Sequence, residues 1–166
     1  KIVLTGGGRV SQGAMEILDK AGIQKVSVED YLSKTFEKAV YCQLESEDYN
    51  KQINGGNFVE TDFYTKPHLY ESNFERFTKV SDVLIAGAYW DPKAPVLFKK
   101  EDTQKADFKI KVIADITCDI EGSIPTTVRP STIADPFYDY NPSTLTEDKA
   151  FSNKDNISVM AVDNLP

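Results

Sequence analysis

The sequence predicts a single α/β domain, a doubly wound parallel sheet in three layers, and three observations carry that prediction. Short apolar stretches recur along the 166 residues and are joined by helical or irregular segments. The first stretch, Ile2 to Thr5, runs straight into Gly6, Gly7 and Gly8, and an amphipathic pattern follows through Ala14, Met15, Ile17, Leu18 and Ala21. Two later stretches, 82–87 and 108–116, are apolar enough to be strands buried on both faces, as in a parallel sheet covered by helices.

Taken in order, the first strand is followed by a helix over 9–21, with Gly22 closing it at the C-cap. A second strand is expected at 24–28, running into the acidic pair Glu29 and Asp30, and a third at 39–44. Residues 45–66 are polar, with a turn at Asn54, Gly55, Gly56 and Asn57. Residues 63–79 are aromatic and expected to be partly helical, since Leu69, Phe74, Phe77 and Val80 fall at helical spacing. Pro92 and Pro95 forbid a regular helix after the strand at 82–87. After the strand at 108–116 comes a long arm over 121–156, rich in Pro, Thr, Asp and Tyr and expected to be irregular, and then a last strand at 157–162.

Composition narrows the function classes. A formal net charge of −7 argues against a nucleic-acid surface, which needs clustered basic residues. It does not oppose a dinucleotide, because a glycine loop meets phosphate with backbone N–H groups and dipoles. The longest apolar run, 83–90, is too short to span a bilayer, and no membrane partner is expected. No signal peptide is visible. Cys42 and Cys118 have no metal-ligand spacing and read as reduced, buried thiols of a cytoplasmic protein.

The strand–glycine–helix unit is where the pyrophosphate of a dinucleotide sits, so a Rossmann-type domain is expected. Gly6 permits the tight turn, and Gly8 lets the backbone approach the phosphates. The third position of the fingerprint is Ser11 rather than glycine, with Gly13 two residues on. A plain βα turn and a methyltransferase-like fold are the competing readings of the loop. Glu29 and Asp30 follow the loop by roughly twenty residues, where a carboxylate binds the ribose hydroxyls and repels a 2′-phosphate. That favours NAD over NADP, with Asp30 ahead of Glu29; a solvated acidic pair capping a helix is the alternative.

Tyr89 and Lys93 have the Tyr-x-x-x-Lys spacing of short-chain dehydrogenases, but Pro92 lies between them and Val10 and Gln12 stand where that group's glycines fall. Asp115 and Asp119 flank the end of a buried strand, where ligands of open α/β sheets bind. An Asp there can orient a nicotinamide, bind a substrate ammonium or carry a proton. Turn formation by Asp119 ahead of Gly122 is the alternative. Asp115, Asp119 and Glu121 could be counted as a metal set, but nothing demands a metal and none is expected. His68, the only histidine, is expected in a surface or packing role.

Four blocks then carry a resemblance: 8–14 (GRVSQGA), 112–124 (VIADITCDIEGSI), 131–137 (STIADPF) and 159–166 (VMAVDNLP). Together they resemble the lysine-forming saccharopine dehydrogenases, within the wider alanine dehydrogenase and transhydrogenase group. The resemblance implies an NAD-dependent oxidoreductase of two domains that oxidises saccharopine to lysine and 2-oxoglutarate in the cleft between them. It matches Gly8, Arg9 and Val10 to the pyrophosphate loop, Asp119 to an Asp near nicotinamide and substrate, and Asn164 and Leu165 to the segment beside the nicotinamide. The family's catalytic Lys and His belong to the other domain. The chain is therefore expected to be the cofactor half, partnered by a catalytic domain and a small amino-acid substrate. An alanine dehydrogenase-like enzyme and a non-catalytic NAD-sensing module are the alternatives.

Overall fold

The structure is a computed structural model that describes residues 1–163. Strand β1 (Ile2–Thr5) buries Val3, Leu4 and Thr5 almost completely, as a strand covered on both faces must. Helix α1 (Arg9–Lys20) starts at Gly8 and ends on Ala21, where Gly22 takes the left-handed conformation (φ 74°) that only glycine adopts freely. Next comes β2 (Gln24–Lys25), two exposed polar residues and not the strand to 28 that the sequence suggested. Ser27 ends it: its side chain accepts from the Asp30 N–H and caps α2 (Val28–Ser33). Glu29 and Asp30 thus lie in the first turn of a helix, where their charge suits the helix dipole, and not at a strand end.

Strand β3 (Val40–Leu44) is buried and pairs in parallel with β1, from Ile2 beside Tyr41 to Thr5 beside Leu44. The segment expected to be polar and then helical is a satellite: α3 (Ser46–Tyr49), β4 (Asn50–Gln52), α4 (Glu60–Thr65), β5 (Tyr70–Ser72) and α5 (Glu75–Thr78). Pro67 breaks the expected helix by imposing a 3₁₀ turn at Pro67–Leu69, after which β5 pairs antiparallel with β4. Tyr70 centres this satellite. Its ring packs 5.3 Å from Phe58 and 5.2 Å from Phe63, and its hydroxyl bonds both the N–H and the carbonyl of Val59.

Strand β6 (Val83–Ala86) flanks β1 on its other side and is followed in the sheet by β7 (Val112–Asp115). The arm is not wholly irregular. It holds β8 (Phe137–Asn141) and β9 (Thr146–Asp148), an antiparallel pair joined to the sheet through β10 (Ile157–Met160). Tyr138, Asp139 and Tyr140 are all buried there, so aromatic burial outweighs the Pro- and Asp-rich composition that read as loop. The sheet order is β2-β3-β1-β6-β7-β10-β8-β9. This is a Rossmann-like α/β fold with a mixed sheet, parallel from β2 to β10. After β1 the chain builds the β3 side of the sheet, and after β3 it crosses to β6, so the order reverses about β1. Thr5 is in register with Leu44 and with Ala86, which brings the next residues, Gly6, Glu45 and Gly87, to one edge. That edge is the switch point where open α/β sheets bind ligands.

Candidate dinucleotide site

Gly6 has φ 98° and donates its N–H to the Leu44 carbonyl at 2.9 Å. A Cβ there would stand 2.8 Å from Ser11 Oγ and 2.9 Å from Ala88 Cα, so both the turn and the packing exclude any other residue. A Cβ on Gly7 would collide with both carboxylate oxygens of Glu45. Gly8 is different: its backbone is extended (φ −79°), and a Cβ would meet nothing within 4 Å. It faces open space at the N-terminus of α1, where no side chain caps the helix and the first turn carries no acidic residue. The helix N-terminus therefore directs its N–H groups and partial positive charge outward without a side-chain competitor.

Ser11 stands where a third glycine was expected, and the structure explains why it fits. It is fully buried, and its hydroxyl donates to the Thr5 carbonyl at 3.0 Å, with the Gly87 carbonyl 3.4 Å away. The small side chain keeps α1 close to β1 and β6, the packing role of that glycine. Arg9 and Val10 open α1 and are exposed, lining the same cavity as the glycines.

Sequence reasoning missed Glu45. It directly follows the strand beside β1, so it occupies the place that the sequence reading gives to Glu29 and Asp30. The signal was present: of the two candidate second strands, 40–44 is the apolar one, and only an apolar strand can lie next to a central one. Gln43 shares a face of β3 with Glu45, because alternate residues of a strand point the same way. The Gln43 amide Nε2 donates to Glu45 Oε1 at 2.7 Å and to the Gly6 carbonyl at 3.1 Å.

These elements wall a cavity of about 710 Å³. The glycine loop and Glu45 form one side, Tyr49, Phe63 and Tyr64 from the satellite another, and 87–91 a third. Tyr64 and Tyr89 are 62% and 87% exposed at its walls. Glu29, Asp30, Asp115 and Asp119 are not among the lining residues. His68 lines a separate cavity of about 450 Å³.

Asp115 is 1% exposed and its carboxylate is used within the fold. Oδ1 accepts from the Thr117 hydroxyl at 2.7 Å and the Cys118 N–H at 3.1 Å, and Oδ2 accepts from Thr127 at 2.7 Å. It shapes the turn after β7 in which Cys118 and Glu121 take positive φ. Asp119 lies exposed on this turn, its carboxyl pushed up by desolvation first and then by the Asp115 charge. Asn164 and Leu165 lie outside the described residues. Among the described residues, no group of three or more His, Cys, Asp or Glu could hold a metal ion, and no helix is long and apolar enough to cross a membrane.

No family model matches the chain. Over 99% of its length it is 30% identical to the α-aminoadipic semialdehyde synthase of Arabidopsis thaliana, of which it spans 17%. It is 27% identical, over the same share of its length, to the mitochondrial α-aminoadipic semialdehyde synthases of Mus musculus and Rattus norvegicus, of which it spans 20%. The chain spans about a fifth or less of the length of these relatives. It is, across nearly all its residues, a distant homologue of one segment of α-aminoadipic semialdehyde synthases.

Proposed function

We propose that this domain binds NAD in the cavity at the switch point and is the cofactor-holding part of an oxidoreductase acting on a C–N bond of a lysine-derived amino acid. The observation that carries this reading is the row formed by Gly6, Gly8 and Glu45 at the ends of adjacent parallel strands. Gly8 faces space that a pyrophosphate requires, the α1 N-terminus supplies N–H groups and positive potential, and Glu45 offers a carboxylate for ribose hydroxyls. A carboxylate there disfavours a 2′-phosphate, which supports NAD over NADP. Bound NAD would supply a hydride acceptor. This chain's share is to fix that group through Gly6, Gly8, the N-terminus of α1 and Glu45.

The relatives' name supports a lysine-derived substrate but not which of its C–N bonds is oxidised: the semialdehyde would come from oxidation at the ε-carbon, whereas the reaction proposed here oxidises the other carbon. α-Aminoadipic semialdehyde, named in the relatives, has the carbon skeleton of lysine with an aldehyde at the ε-carbon. Saccharopine is the secondary amine joining the ε-nitrogen of lysine to a five-carbon diacid. Oxidation at the diacid carbon followed by hydrolysis turns saccharopine, NAD and water into lysine, 2-oxoglutarate, NADH and a proton, and this is the reaction we assign to the whole enzyme. Its catalytic acid and base would stand on a second domain.

Calorimetric titration of the chain with NAD, NADP and S-adenosylmethionine tests the binding reading. Saturable NAD binding is expected; binding of S-adenosylmethionine without NAD overturns it. Saccharopine-dependent NADH formation by the whole enzyme, with lysine as product, tests the reaction.

A further inference from the structure

We infer that Gln43 is a positioning residue that locks the Glu45 carboxylate against the glycine loop and thereby sets the choice between NAD and NADP. The inference rests on the dinucleotide reading above and adds to it a residue that does not line the cavity. Glu45 is exposed, and an exposed glutamate samples several rotamers. A carboxylate discriminates against a 2′-phosphate only while held where that phosphate would lie.

Gln43 does the holding. Its Nε2 donates to Glu45 Oε1 (2.7 Å) and to the Gly6 carbonyl (3.1 Å), so one amide ties the carboxylate to the loop. The amide cannot flip without loss, because Lys25 Nζ donates to Gln43 Oε1 at 3.2 Å. Both neighbours of the NH₂ group are acceptors and the neighbour of the oxygen is a donor, so only one orientation satisfies all three. Behind Glu45, its own N–H donates to Asp48 Oδ2 at 2.8 Å, which holds the backbone from which the side chain extends. Lys25 belongs to the edge strand β2, so this strand, too short to matter to the core, anchors the relay from outside.

The test is calorimetric titration of the full chain with NAD and with NADP, comparing wild type, Gln43→Met and Lys25→Met. Methionine keeps the length of Gln43 and removes its donors. Losing one charge-assisted bond at Glu45 is expected to weaken NAD binding about five- to tenfold. NADP binding stays level or tightens, so the preference narrows; Lys25→Met shifts it the same way by less. A purely structural role weakens both dinucleotides equally, and that result, or no change in either, overturns the inference while wild-type NAD binding upholds the dinucleotide reading. A wild type that binds neither overturns both. If Gln43→Met does not fold, Lys25→Met decides by the same criterion: an unchanged preference rejects the relay.

Discussion

Ser11 donates its hydroxyl to the Thr5 carbonyl across 3.0 Å, tying the first turn of α1 to the end of β1 at a point sealed from water. Removing that donor leaves the buried Thr5 carbonyl with the Gly87 N–H alone, at 3.2 Å. Ser11→Ala is expected to lower stability by about 1 kcal/mol, and Ser11→Leu, which forces a larger side chain between α1 and the strands, by about 2–3 kcal/mol. Urea unfolding of the two variants checks the order.

Gly6 and Gly8 separate fold from function. Gly6→Ala meets positive φ and the Ser11 and Ala88 contacts together, and is expected to cost about 2–3 kcal/mol in the same measurement. Gly8→Ala meets nothing and keeps an allowed backbone, so stability should fall by no more than about 1 kcal/mol, the cost of alanine at an N-cap. Its methyl group would project toward the proposed pyrophosphate, and NAD affinity should fall at least about tenfold by calorimetry, a loss near 1.4 kcal/mol.

Glu45 is the proposed ribose ligand, which makes Glu45→Ala the direct test of dinucleotide choice. NAD binding should weaken about tenfold or more, and NADP binding should improve as the like-charge repulsion disappears. The paired variant Asp30→Ala, altered in the first turn of α2, should leave both affinities unchanged. The reverse pattern would restore the ribose role to the acidic pair.

Burial pushes several acids up. The Cys42 thiol rises from 9.0 to about 11, through desolvation first and then the Asp48 charge. The Tyr138 hydroxyl rises to about 12 by desolvation. Tyr41 also rises to about 12, by desolvation and by its hydrogen bond to Asp19. Each folded-state value lies above the unfolded one, so the unfolded chain releases these protons first. Their stabilising contribution is complete below about pH 9 and is lost as pH rises through 11 to 12. Urea midpoints should therefore fall steeply across that interval, and Cys42→Ala should remove the earliest part of the fall.

Much of this was legible in the residues themselves. The run from Ile2 through Gly8 to Leu18 states strand, turn and helix locally, and β1 and α1 form there. Strands β6 and β10 are equally local statements, since a short run of Val, Ile, Leu and Ala has few other stable uses, whereas β7 forms only over Val112–Asp115 of the expected 108–116 and leaves Val112 40% exposed. The β8–β9 pair was not legible, because its stability comes from docking Tyr138 and Tyr140 into a core built by distant segments. The 3₁₀ turn at Pro67 was written in the sequence and outweighed there by helical spacing of the aromatic residues around it.

What the sequence determined by itself is the cradle: glycines after an apolar strand, before an amphipathic helix, with geometry set by neighbours in the chain. What only the tertiary structure decided is which carboxylate stands beside that cradle. Glu29, Asp30 and Glu45 all follow short candidate strands, and the apolar character of 40–44 ranks them only once one of those strands must be paired against β1. Pairing β3 rather than β2 against β1 buries the more apolar strand, and that long-range choice brings Glu45 and Gln43 to the glycine loop and leaves the acidic pair on a helix at the sheet's edge.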